Sequence, residues 1–332
     1  MDMRLDRLKT DRYLNGNYLV KTSSMGKSFF GISKRALRVG EELRSEFPDS
    51  IDLKISDRCS HGCPFCHESS TKEGKVLNLE KTKEILSQLP KKPIEIAIGG
   101  GNVLECLDET EDILDWLLER GHQTRITITL DDLKGTGNDG LDERIIKLIL
   151  NKVGGLGVSI TSLEKSGIKF KDNQNAFFRT GIIDQTKIGK ELGFGPQVVY
   201  HVIAGITPLK DIKQIIDRKK DSVLVLGYKQ WGRAIGSKLP DMTELRTYLE
   251  TLIHSSTTDL GCLGFDNLAI EQLRVKDMID ENRWKGIYLG DEGTCSMYID
   301  AVKGEFARTS RSPERVSWND VKLLDYYASL SN

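Results

Sequence analysis

The sequence lacks any apolar stretch of the length a membrane span needs. It lacks an apolar core near its start, where residues 1–18 are rich in charge, so no secretory signal is expected there. It also lacks an excess of either charge: 48 Lys and Arg stand against 49 Asp and Glu, for a net charge of −1. That removes the general attraction by which basic proteins hold nucleic acid or an anionic membrane, so neither is expected as a partner. One local cationic run, Arg218-Lys219-Lys220, reads as a solvated helix end. Internal repeats and low-complexity tracts are missing as well. What remains is a chain of 332 residues, 38% hydrophobic and 29% charged, which is enough to bury a sizeable core. The expected compartment is the cytoplasm, and three of the six cysteines crowd into one segment. In a reducing compartment such crowding signals a metal site rather than a disulfide framework.

The apolar pattern predicts strand and helix in alternation. Two β-type runs, Tyr18–Val20 and Phe29–Ile32, flank Ser23, Ser24 and Gly26 and predict a small N-terminal hairpin. From residue 51 the strands are Ile51–Ile55, Ile94–Ile98, Ile126–Leu130, Leu156–Ile160, Val198–Ile203 and Val223–Leu226. Helical stripes separate them, with a poorly patterned stretch holding a helix around Ile188 and a glycine-bearing loop over Lys134–Gly140. Six such units argue for a parallel sheet with helices outside; periodicity alone does not separate an open doubly wound sheet from a partial barrel. After about residue 260 the character changes. Tyr298–Val302 and Glu305–Arg308 flank Lys303-Gly304, a hairpin signal that points to a small C-terminal addition.

The first of these strands runs directly into Asp57-Arg58-Cys59-Ser60-His61-Gly62-Cys63-Pro64-Phe65-Cys66-His67. In a parallel α/β architecture this is the edge of the sheet where ligands bind. Three thiolates spaced C-x3-C-x2-C on a tight loop suit three irons of a cubane cluster and leave the fourth iron open. Spacing by itself also leaves a Cys3His zinc site open, with His61 or His67 as the fourth ligand. The position after the strand, Phe65 before the third cysteine and the glycines downstream favour the cluster.

This segment resembles the signature of the radical S-adenosylmethionine (SAM) superfamily, and the order of elements from about residue 50 to residue 230 resembles it too. The resemblance implies a partial (β/α)6 barrel of the TIM type, with the N-terminal hairpin over 1–48, the core over 49–258 and a C-terminal cap over 259–332. It implies two cofactors, a 4Fe–4S cluster on Cys59, Cys63 and Cys66 and SAM on the open iron. It implies an external reductant such as flavodoxin or ferredoxin, and hydrogen abstraction from a substrate by a 5′-deoxyadenosyl radical. The expected substrate is a peptide or protein, with a small metabolite or nucleotide as the alternative.

The second strand ends in Ile98-Gly99-Gly100-Gly101-Asn102-Val103. Members of the superfamily carry a Gly-Gly-Glu-Pro-type motif there, which holds the methionine amino group. Gly100 and Gly101 align with its glycines and Asn102 with its acid, a departure that removes a charge. The resemblance further suggests Phe65, Ser159 on the fourth strand and Lys229 after the sixth as SAM-side residues. Lys229 and Arg233 are alternatively substrate contacts or surface cations, and His201 reads as a satisfied core histidine. Asp266, Asn267, Glu271, Gln272 and Asp291-Glu292-Gly293 read either as caps and turns or as groups closing the barrel mouth. Cys106, Cys262 and Cys295 lack the spacing of an auxiliary cluster and read as small buried hydrophobes. Two rivals remain, a zinc-binding interaction module and a cluster-bearing regulator that binds SAM without turnover.

Overall fold

The computed structural model describes residues 8–25, 28–38, 41–134, 143–166, 197–217, 222–255, 262–288 and 290–330. The expected helix around Ile188, the run Arg218–Lys220 and most of the Lys134–Gly140 loop lie outside these residues.

The N-terminal part is an antiparallel meander of three strands, β1 (Leu8–Asn15), β2 (Tyr18–Met25) and β3 (Ser28–Ala36). Sequence patterning gave only β2 and β3. The missed signal is Gly16-Asn17, the two-residue hairpin turn between Asn15 and Tyr18, in which Gly16 takes φ 59°, a left-handed value that suits glycine. The rest builds one sheet of ten strands among the described residues. These are β4 (Ser50–Ser56), β5 (Glu95–Gly100), β6 (Gln123–Thr129), β7 (Gly155–Ile160), β8 (Gln197–Ile203), β9 (Ser222–Leu226), β10 (Cys262–Phe265), β11 (Ser296–Asp300), β12 (Glu305–Ala307) and β13 (Val316–Ser317). Their order is β10-β9-β8-β7-β6-β5-β4-β11-β12-β13, with every pair from β10 to β11 parallel.

The six expected barrel strands, β4 to β9, are neighbours in chain order. The C-terminal region does more than add a hairpin. It supplies β10 to one edge and β11 to the other, where Ser296 to Asp300 run beside Ser50 to Lys54. β10 is four residues long and carries no β-branched side chain, which is why no strand signal shows there.

The alternation along the strands has one cause. Sheets covered by helices on both faces read as continuous apolar runs. Here only one face is apolar. Ile51, Leu53, Ile55, Ile96, Ile126 and Val158 are at most 1% exposed and pack against helices such as Leu107–Glu119, whose Ile113, Leu114 and Leu117 are fully buried. The other face carries Asp52, Lys54, Arg125, Thr127, Ser159 and His201, which all line one cavity of about 640 Å³. Strands from β4 to β9 reach the same cavity, so the sheet curves around it as a partial barrel does.

The meander lies across the end of the barrel opposite the cysteine loop. Its anchor is Asp49, which is fully buried just before β4. Asn15 Nδ2 donates to it at 2.6 Å, the Tyr18 hydroxyl donates to its other oxygen, and Lys34 Nζ stands 3.1 Å away. β3 passes beside β7 and β8. Asp49→Ala strips one partner from three buried polar groups. It is expected to destabilise the protein by about 3–5 kcal/mol, read as a lower urea midpoint.

Candidate metal centre and cavity

The loop after β4 is held from two sides. On the β5 side, Gly101 N donates to Ser56 O at 2.6 Å and Asn102 N to Arg58 O at 2.7 Å. A Cβ on Gly100 would sit 2.4 Å from Ser56 O, and one on Gly101 2.1 Å from Arg58 O. Gly100 also takes φ 113°. These two glycines are therefore required by backbone pressed against backbone. All three glycines line the cavity, and Gly99 has nothing within 4 Å of its Cβ position. Glu105, next to this corner, accepts from Ser60 N at 2.9 Å and Ser60 Oγ at 2.7 Å.

On the other side, the segment after β9 clamps the loop. Arg233 donates from Nε to Cys63 O at 2.8 Å, from Nη1 to Ser70 O at 2.7 Å and from its backbone N to Cys66 O at 3.0 Å. Gly232 takes φ 57°, and a Cβ there would lie 2.5 Å from His67 O. Arg233 is thus neither a free surface cation nor a side chain aimed at the cavity. Its spacing from the cysteines, 170 residues in the case of Cys63, hides this role in the sequence.

Cys59, Cys63 and Cys66 are free, half-buried and on the cavity wall. Burial pushes the Cys59 and Cys63 thiols up, and each is raised further by neighbouring cysteines, so the sulfurs share one electrostatic neighbourhood. Thiols raised in this way become thiolates when a metal supplies the positive charge. Among the described residues, no three His, Cys, Asp or Glu side chains converge on one ion. A tetrahedral zinc with sulfur ligands at about 2.3 Å needs such convergence, whereas a cubane gives each thiolate its own iron. Both nearby histidines are engaged elsewhere. His61 Nε2 is 2.9 Å from Asp132 Oδ1, and His67 Nε2 is 3.2 Å from Glu68 Oε1. The donor set therefore fits an iron–sulfur cluster better than a single-ion Cys3His site.

Asn102 is buried, and its oxygen accepts from Leu104 N at 3.0 Å to cap a short helical turn. Its Nδ2 donates to Asp132 Oδ1 at 2.8 Å. The acid at this corner is thus Asp132, whose second oxygen accepts from Thr129 N at 2.7 Å and Thr129 Oγ1 at 2.9 Å. Its carboxyl stays below the usual range: burial works to raise it, and the bonds from His61 and Thr129 more than offset that. Sequence reasoning missed Asp132, because 30 residues separate it from Asn102.

Phe65 and Ser159 both line the cavity, and no described protein group takes the Ser159 hydroxyl. Lys229 Nζ reaches in to donate to Ser310 Oγ at 3.1 Å. His201 is no satisfied core histidine: it faces the cavity with no hydrogen bond to a described residue, and burial first, then Arg125, lowers its pKa to about 4. Gly157 leaves the ring its space, since a Cβ there would lie 2.5 Å from His201 Cε1. Of the tail residues, Asp266, Asn267 and Glu292 line the cavity. Asp266 also caps a helix through Ala269 N at 2.7 Å, and Gln272 brackets the Tyr228 backbone at 2.8 and 3.0 Å. Cys106 and Cys295 are buried in separate apolar clusters, and Cys262 is exposed on β10.

Fold and site together define an α/β-barrel protein with three free cysteines on the loop after its first barrel strand, on the wall of a cavity of mixed polar and apolar lining. Residues 53–218, half of the chain, match the radical SAM superfamily, and the chain belongs to that superfamily. Members of that superfamily are SAM-dependent enzymes with an iron–sulfur cluster. No curated protein matches it in sequence. Among solved structures it is similar to Streptococcus suis SuiB bound to precursor peptide SuiA, at 15% identity and TM-score 0.56. That alignment covers 86% of this chain and 65% of SuiB, so this chain spans less than two thirds of that relative. It is also similar to anSMEcpe with bound AdoMet and Cp18Cys peptide, at 12% identity and TM-score 0.50, covering 85% of this chain and 79% of the other. These likenesses concern the fold. Among the described residues no helix is long and apolar enough to cross a membrane.

Arg233→Ala removes two side-chain bonds to the cysteine-loop backbone. The variant is expected to lose its iron to a chelator about 10- to 100-fold more readily than the wild type, followed by iron assay and visible absorbance.

Proposed function

We propose that this chain generates a radical from SAM at a 4Fe–4S cluster held by Cys59, Cys63 and Cys66, and uses it to abstract hydrogen from a peptide or protein substrate. When bound and reduced, the cluster supplies one electron that splits SAM into methionine and a 5′-deoxyadenosyl radical. The observation that carries this reading is the placement of three free thiols on one clamped loop on the wall of a cavity of about 640 Å³. The protein's part is to bind, orient and shield. Arg233 and Glu105 fix the loop, so three thiolates are presented together. Gly99 leaves backbone bare toward the cavity, and Ser159 and Lys229 offer a free hydroxyl and a cation for SAM. Asn102 acts here as the residue that ties the loop corner to Asp132, with its oxygen already capping a turn. An external reductant such as flavodoxin or ferredoxin supplies the electron.

The peptide substrate is favoured by two features. The C-terminal region places Asp266, Glu292 and Ser310 around the cavity, so the mouth is built from more than the barrel. The two similar folds above were solved with peptides bound to them.

The test is anaerobic reconstitution with iron and sulfide, then dithionite and SAM, with chromatography for 5′-deoxyadenosine. Product from the wild type and none from the Cys59, Cys63, Cys66 to Ala triple variant is the expected result. A colourless, zinc-loaded protein without product overturns the reading. A brown protein that binds SAM and makes no product with or without a peptide library points instead to the regulator.

A further inference from the structure

Nearly every charged group on the cavity wall has a partner in the protein. Glu95 Oε1 is 2.8 Å from Arg125 Nε, Glu68 is 2.7 Å from Lys54, Asp132 holds His61, and Glu292 is 3.0 Å from Arg311. Asp266 spends its charge on the backbone N–H groups of Ala269 and Gly227. Asp52 is the exception. It lies on β4 between the buried Ile51 and Leu53, points into the cavity, and makes no hydrogen bond or ion pair with any described residue. Its side chain is open to the cavity, yet protein surrounds it closely enough that burial dominates its chemistry.

A lone carboxylate here does nothing for the fold. Burial raises its pKa to about 6; Lys229, after β9, pulls it down, and Glu292, Glu95 and Asp266 push it up further. The other groups facing this region add no counter-charge: Arg125 on β6 is committed to Glu95, His201 on β8 is neutral, and Tyr298 on β11 is held protonated. Ionised Asp52 thus feels the charge of Lys229 but has no counter-ion in contact with it among the described residues, which is a place for a cation. It also stands well below the cluster loop. Four residues of strand separate it from Ser56, about 13 Å at the usual rise per residue, and Lys54 lies between them. A ligand reaching the cysteines occupies the mouth, and Asp52 faces what lies beneath.

We infer that Asp52 anchors a cationic group of the substrate, a protonated amine or guanidinium, on the floor of the barrel cavity. This rests on the proposed catalytic function and names the chemistry its substrate carries; for a peptide, that is a basic side chain or an amino terminus.

The test uses the reconstituted full chain and three probes of one size: n-pentylamine, pentan-1-ol and pentanoate. Calorimetric titration at pH 8 is expected to show the amine binding about tenfold tighter than the alcohol, the gain of one charge-assisted contact, with no binding of pentanoate. Asp52→Asn, and separately a shift from pH 8 to pH 5, should remove that advantage, and saturating SAM should leave it intact. The variant's folding is checked by melting. Because the native pKa lies above the unfolded value, ionised Asp52 destabilises the fold above about pH 6. Asp52→Asn should therefore melt higher at pH 8, with the difference vanishing toward pH 4. Equal binding of amine and alcohol, or an amine preference that survives Asp52→Asn, overturns the inference. So does competitive displacement of the amine by SAM, which assigns the carboxylate to the sulfonium instead. Amine binding through Asp52 in a protein that forms no 5′-deoxyadenosine leaves this inference standing and removes the catalytic reading alone.

Discussion

The buried ammonium of Lys54 is the point on which the site depends. It lies on β4, 3% exposed, within 2.7 Å of Asp57, 2.7 Å of Glu68 and 3.1 Å of Asp300. Asp57 begins the cysteine loop, Glu68 ends it, and Asp300 closes β11. One cation therefore ties together both ends of the loop and the first strand of the C-terminal hairpin. Burial alone would drive its proton off, but the three carboxylates more than offset this and hold its pKa above the usual lysine value. Glu68 in turn is kept ionised against its own burial by His67 and Lys54. A buried charge is tolerated only when paired and bonded. Here the pairing also fixes where the three thiols stand.

The same strand shows how the barrel divides its labour. Ile51, Leu53 and Ile55 point outward into a core that no water reaches, while Asp52 and Lys54 point inward. The outward set supplies the stability, since each fully buried aliphatic side chain contributes about 1.5–3 kcal/mol. The inward set serves the site, with Lys54 anchoring the cysteine loop. In Asp52 it works against folding at neutral pH, a pattern found where binding or catalysis needs a group the fold does not. Lys54 and Asp52 are two residues apart on one face, one saturated with partners and one with no hydrogen bond or ion pair among the described residues. That contrast separates scaffold from pocket.

Much of this was legible in the residues. The period of two in Ile51–Ile55, Ile126–Leu130 and Leu156–Ile160 marks strands with unlike faces, and the cysteine spacing marks the loop whose three thiols share the cavity wall. The Lys303-Gly304 turn marks the hairpin that forms between β11 and β12. Other features were opaque for identifiable reasons. β10 is too short and too poor in β-branched residues to register. Gly100 and Gly101 look like ligand-binding glycines; both line the cavity, and only the fold shows that their backbone also presses against the carbonyls of Ser56 and Arg58. Asn102 looks like a weakened acid; its true neighbour Asp132 arrives from the end of β6 through the order of the sheet. His201 reads as core because its neighbours Tyr200 and Val202 are buried, and only the strand's alternation puts it in the cavity.

By itself the sequence determined the chemistry and the order of elements: three thiols at a fixed spacing after a strand, and six strand–helix units to carry them. Those properties are local, set by side-chain type and by the periods of strand and helix. Only the tertiary structure decided which residues meet. Arg233 comes to the cysteine loop, Asp132 to Asn102, and Asp300 and Glu68 to Lys54, because a curved parallel sheet gathers the ends of distant strands at one rim. It alone decided that Asp52 has no hydrogen bond or ion pair among the described residues, since an unpaired charge is a fact about every surrounding element at once.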